Sequence, residues 1–106
     1  MTLDDLRRDI DRVDEVLVRL LNERARCVCE IGRLKKEQGV AIYQPDREKD
    51  VLRHVREVAV EGPLGPEAIG RLFERIIDEA RMLERRVVHD EVRGNGPASS
   101  TSAPRD

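Results

Sequence analysis

Leu6, Ile10, Val13, Leu17, Leu20, Cys27, Ile31 and Leu34 recur along the first third of the chain at helical spacing, and Arg24 stands between Leu20 and Cys27 where the pattern calls for Leu or Ile. The spacing predicts an amphipathic helix. It begins near Thr2 or Leu3, where Asp4 and Asp5 suit the positive end, and runs to about Gln38, with Gly39 as its terminator. Such a helix is about 50 Å long, against a diameter of roughly 30 Å for a small domain. The remaining helices are too short to cover its seam, so the expected assembly is a homodimer in which two long helices pack together.

Residues 40–45 read as extended, because the position before Pro45 avoids the helical region, and Pro45 suits the first turn of a second helix reaching about Val60. The breaker cluster of residues 62–66 ends with Pro66, again placed for a helix start. A third helix is predicted from there to about Val92, with Ile69, Phe73, Ile76, Ala80, Leu83 and Val87 repeating the four-three rhythm. The fold class is all-α, a three-helix subunit. Residues 1–92 are expected to form one domain, and residues 93–106, which lack apolar periodicity, a disordered tail.

Composition sharpens this picture. Among 106 residues there are one Phe, one Tyr and no Trp, so the core is built from Leu, Ile, Val and Ala, and a monomer would have little interior. A net charge of −2 with interspersed signs shows none of the basic excess that nucleic acid demands. The N-terminus lacks the apolar region of a signal peptide, and no stretch approaches a membrane span, which points to the cytoplasm. Cys27 and Cys29 lie on roughly opposite helix faces with no further cysteines to complete a metal set, so reduced thiols are expected, with Cys27 as a small core residue.

The candidate chemistry begins at Arg24. A guanidinium keeps its proton and is expensive to bury alone, so its place in the seam implies an anion. Lys35 follows eleven residues later, about 20° around the helix and roughly 16 Å along it, so the pair can grip the two ends of a small dianion. Arg7 is about 260° from Arg24 and suits another copy of the site in the dimer. Glu84, four residues after Ala80, falls on the edge of the third helix's apolar face, and Arg47 and Glu48 occupy the second helix's first turn, where backbone N–H groups are free. Arg7, Arg24, Lys35 and Arg47 against Glu48 and Glu84 leave two positive charges, which a dicarboxylate would neutralise. Singly, each residue has an ordinary reading: Arg24 in a buried ion pair that fixes register, Lys35 and Arg7 solvated, Glu84 in a local charge pair, and Arg47 and Glu48 as a polar helix start. The joint pattern carries the weight.

That pattern resembles the all-helical chorismate mutase family, through LRRDIDRVD at residues 6–14, LLNER at 20–24, IGRLK at 31–35, PDRE at 45–48 and LFERII at 72–77. The resemblance spans about residues 3 to 88. It implies an intertwined dimer that converts chorismate to prephenate by an intramolecular Claisen rearrangement, without cofactor or metal. By the same resemblance, Arg24 and the partner subunit's Arg7 would bind the carboxylates. Lys35 and Glu84 would donate to the ether oxygen, Arg47 would hold the charged substrate, and Glu48 would accept the ring hydroxyl. Three positions depart from the family pattern: Gln44 stands where many members have Asp near the ring hydroxyl, Ala80 where Ser is frequent, and Glu84 where others have Gln. Only protonated Glu84 can donate to the ether oxygen, so turnover is expected to fall as that group ionises with rising pH.

Two other readings fit parts of the pattern. A related pericyclic enzyme could act on isochorismate, releasing pyruvate, or on the 4-amino analogue of chorismate, and Gln44 is the feature that keeps this reading open. A non-catalytic helical dimer could instead bind and tune a partner enzyme of the aromatic pathway. The mutase is favoured because an interaction module has no need of the inward cations, Glu84 and the Arg47-Glu48 start together.

Overall fold

The computed structural model describes residues 1–89 and contains three helices: α1 (Leu3–Gln38), α2 (Pro45–Ala59) and α3 (Pro66–Val88). Asp90 to Val92, into which the apolar rhythm extends the third helix, and the tail from Arg93 onward lie outside the described residues. Within them α3 ends earlier than that rhythm predicts. His89 leaves helical geometry while its N–H still bonds to the Arg85 carbonyl, after the β-branched pair Val87 and Val88, which are weak helix formers.

The ends of α1 are specified locally. The Thr2 hydroxyl accepts from the Asp5 N–H at 3.1 Å, and the Asp5 carboxylate accepts from the Thr2 N–H at 2.9 Å, a reciprocal box that satisfies two orphan donors. At the other end Gly39 adopts φ 67°, a left-handed conformation that would strain a residue with a Cβ. Pro45 and Pro66 open α2 and α3, where a missing N–H costs nothing.

α3 lies against both α1 and α2, which do not pack on one another. The buried residues are few: Val28, Cys29 and Gly32 on α1 and Gly70, Ile77 and Val87 on α3, with Gly70 lying beside the Arg56 side chain of α2. At the closest approach of α1 and α3, a Cβ on Gly32 would stand 3.1 Å from a Val87 methyl. The face of α1 that packs on α3 therefore runs through Val28, Gly32 and Lys35, one residue round from the seam that begins at Leu6. That seam stays open, and Leu6, Ile10, Val13, Leu17 and Leu20 are between 44 and 63% exposed.

This offset corrects one expectation. Cys29 is the buried thiol and Cys27 is exposed, because α3 covers the face next to the seam rather than the seam itself. Burial pushes the Cys29 thiol above its ordinary value, with smaller opposing effects from Arg33 and Arg86. No described helix is long and apolar enough to cross a membrane.

Candidate active site

The C-terminal half of α1, the start of α2 and the second half of α3 enclose a cavity of about 460 Å³. Seven of the eight residues expected at the site line it: Arg24 and Lys35 from α1, Gln44, Arg47 and Glu48 at the start of α2, Ala80 and Glu84 from α3. Arg7 does not reach it. It is exposed and 4.0 Å from Asp4, and the seventeen residues between it and Arg24 correspond to about 26 Å of helix rise.

Lys35 turns inward rather than into solvent. Its Nζ donates to Glu84 Oε1 at 2.7 Å and to the Ile42 carbonyl at 2.9 Å, and the Lys35 and Glu84 side chains are only 15% and 14% exposed. The loop carrying Ile42 is brought back along α1 by the turn at Gly39, so the same glycine that ends the helix supplies Lys35 with a backbone acceptor. Lys35 keeps one N–H donor beyond these two bonds, and Glu84 keeps Oε2.

Arg24, like Arg47, is a site cation without an ion-pair partner among the described residues. Its guanidinium lies over the Phe73 ring at 5.9 Å, and among the described residues no carboxylate pairs with it. Within the chain neither Glu84 nor Glu48 pairs with it: Glu84 is engaged by Lys35, and Glu48 by Arg81. Arg24 also borders a second, more apolar cavity of about 230 Å³, walled by Leu21, Ala25, Ile76 and Leu83, so its charged head stands between two open volumes.

Arg81 is the residue that sequence reasoning missed. Its Nε and NH2 donate to the two oxygens of Glu48 at 3.0 and 2.8 Å, its NH1 reaches Asp78 at 3.4 Å, and its guanidinium stacks 5.3 Å from the Tyr43 ring centre. Its hydrogen bonds to Glu48 raise Arg81 above the ordinary guanidinium value. A signal was present, since Ile77, Arg81 and Glu84 follow at spacings of four and three and share one strip of α3. With Arg81 counted and Arg7 set aside, Arg24, Lys35, Arg47 and Arg81 face Glu48 and Glu84, again two positive charges over, now within a single chain. Among the described residues no group of three or more His, Cys, Asp or Glu side chains is placed to hold a metal ion.

Comparison with known proteins agrees with this geometry. The family model for chorismate mutase type II matches residues 6–85. The chain belongs to that family. It is 41% identical over 88 residues to the bifunctional chorismate mutase/prephenate dehydratase of Neisseria gonorrhoeae, covering 79% of this chain and 24% of that protein. It is 34% identical to the corresponding bifunctional protein of Aquifex aeolicus, so the chain spans about a quarter of the length of these relatives. A chorismate mutase from Methanocaldococcus jannaschii is 23% identical, with 83% of this chain and 89% of that one aligned. Among solved structures, chorismate mutase form II from Thermus thermophilus superposes with a TM-score of 0.75 at 40% identity, covering 79% of this chain and 94% of that one. The three-helix architecture is therefore that of a chorismate mutase type II domain.

Proposed function

We propose that the protein is a chorismate mutase that converts chorismate to prephenate. The observation that carries this reading is the unpaired Arg24 guanidinium in a cavity whose cations outnumber its carboxylates, which suits a substrate bearing two carboxylates. The reaction breaks one C–O bond and forms one C–C bond within a single molecule. It needs neither nucleophile nor general base, only a compact reactive conformer and donors where negative charge grows. Donors aimed at the ether oxygen favour the transition state over the ground state, because bond breaking puts charge there.

Each substrate group then has a counterpart of the right polarity. Arg24 takes a carboxylate, and Arg47 holds the charged molecule at the α2 end. Lys35 and Glu84, side by side on facing helices, address the ether oxygen. The one hydroxyl of the ring needs an acceptor, and Glu48, with Gln44 beside it, supplies that at the start of α2. Ala80 contributes only a methyl wall. Arg7 of the partner subunit completes the site in a homodimer formed along the exposed α1 seam, a reading supported by the seam's exposure and by the distance of Arg7 from its own cavity. The two free thiols accord with a cytoplasmic setting.

The deciding experiment follows the loss of chorismate diene absorbance with purified protein and identifies the product by acid conversion to phenylpyruvate. Conversion to prephenate is the expected result, with Lys35→Ala reducing kcat about a hundred- to a thousandfold. Turnover of isochorismate alone, or of no substrate, would overturn the proposal.

A further inference from the structure

Arg81 has no part in the chemistry just described, yet it occupies both oxygens of the carboxylate assigned to the ring hydroxyl. The Arg81 and Glu48 side chains are 22% and 25% exposed, and Arg81 is fixed on two further sides by Asp78 and by the Tyr43 ring. A carboxylate gripped by such a fork is held in one plane, and each oxygen keeps a lone pair for one more donor. The charge around it is also set. Among the residues that line the α2 end of the cavity, Arg47 and Arg81 stand against Glu48, and Gln44 is neutral, with its amide nitrogen turned to the Ala41 carbonyl at 3.4 Å. Asp78, which Arg81 also contacts, lies outside that lining, so the lining itself carries one positive charge over.

We propose that Arg81 is a specificity-determining residue, which orients Glu48 to accept a ring hydroxyl and, together with neutral Gln44, makes this end of the cavity repel a ring ammonium. This inference rests on the mutase reading above and adds a choice of substrate to it. A free Glu48 carboxylate would attract an ammonium group at least as well as a hydroxyl. Once neutralised by Arg81 it offers a hydrogen bond without a charge to match, and Arg47 adds repulsion. A simpler role for the pair is a latch between α2 and α3, and the two roles predict different ratios.

The test compares kcat/KM for chorismate and for its 4-amino-4-deoxy analogue in the wild type, Arg81→Leu, Arg81→Lys and Gln44→Asp. Wild type should prefer chorismate by about tenfold or more, the low end of what a like-charge contact yields. Arg81→Leu removes the positive charge and the fork, and should narrow that preference about tenfold. Arg81→Lys keeps the charge but not the fork, so it should slow both substrates while leaving their ratio near that of the wild type. Gln44→Asp leaves the Arg81–Glu48 pair in place and adds an anion at the same end, so it should also narrow the preference, and it decides the matter even if Arg81→Leu does not fold. Equal losses on both substrates in Arg81→Leu, or an unchanged ratio in Gln44→Asp, would overturn the inference and leave the mutase intact. Absence of chorismate turnover by the wild type would overturn both.

Discussion

Lys35 and Glu84 illustrate what a single residue discloses. Each looks ordinary in sequence, one in a basic last turn and one in a Glu-Arg-Arg run, and only their joint position marks them as inward. Their contact at 2.7 Å across two helices, with both side chains mostly covered, is a contact no local charge pair would make. Arg81 escapes notice because Asp78 three residues earlier offers it an ordinary helical partner, and nothing local reveals that Glu48, thirty-three residues away, is the stronger one. The role of Glu84 has a clean test. This residue addresses the ether oxygen beside Lys35, so Glu84→Ala should lower kcat about a hundredfold, whereas Glu84→Gln, whose amide can donate, should stay within about tenfold of the wild type. Equal turnover in the wild type and Glu84→Ala would remove Glu84 from the chemistry.

At the scale of the elements, helix starts and stops are legible because they depend on neighbours in sequence: Gly39, Pro45 and Pro66 each stand where the structure turns. The face that α1 presents to α3 is not. Two apolar stripes one residue apart overlap on α1, and periodicity cannot tell which of them meets a helix of the same chain. Gly32 is the mark of the true contact. Gly32→Ala would gain about 1 kcal/mol of helix propensity. Its methyl would meet the buried, β-branched Val87 at 3.1 Å, and such overpacking costs about 1–3 kcal/mol. A net loss of about 1 kcal/mol is expected in urea denaturation, and pairing the change with Val87→Ala should cost less than the sum of the two single changes. The N-terminal box of α1 gives an acid prediction. The Asp5 carboxyl is held below its ordinary value, first by the Thr2 backbone N–H, then by the Thr2 hydroxyl, then by Arg8. A depressed folded value stabilises the box above the unfolded value of 3.8, and that contribution is lost as pH falls through the lower folded one. Exchange protection of the Thr2 amide, which donates to the Asp5 carboxylate, should therefore be lost only below pH 3.8, whereas Thr2→Ala should abolish that of the Asp5 amide at every pH.

At the scale of the whole molecule, the proposed second copy accounts for its shape. Its radius of gyration is 16.4 Å and its thinnest extent 14 Å, barely more than one helix layer, whereas a compact chain of about this size has a radius of roughly 12–13 Å. A long open seam, a guanidinium between two cavities and an Arg7 far from its own site all point to the same missing element, a partner's α1 lying along this one. Leu17→Glu should accordingly drop the particle to the mass of a single 12.1 kDa chain in light scattering and abolish turnover. A sharper test asks whether the sites are shared. Arg7→Ala and Arg24→Ala should each be nearly inactive alone. In a mixed dimer, however, one cavity receives an intact Arg24 from one chain and an intact Arg7 from the other, while the second cavity lacks both. Equal amounts unfolded and refolded together form about one half mixed dimers, so about one quarter of wild-type activity per chain should return. If Arg7 served the cavity of its own chain, every site in the mixture would lack one arginine, and no activity would be recovered.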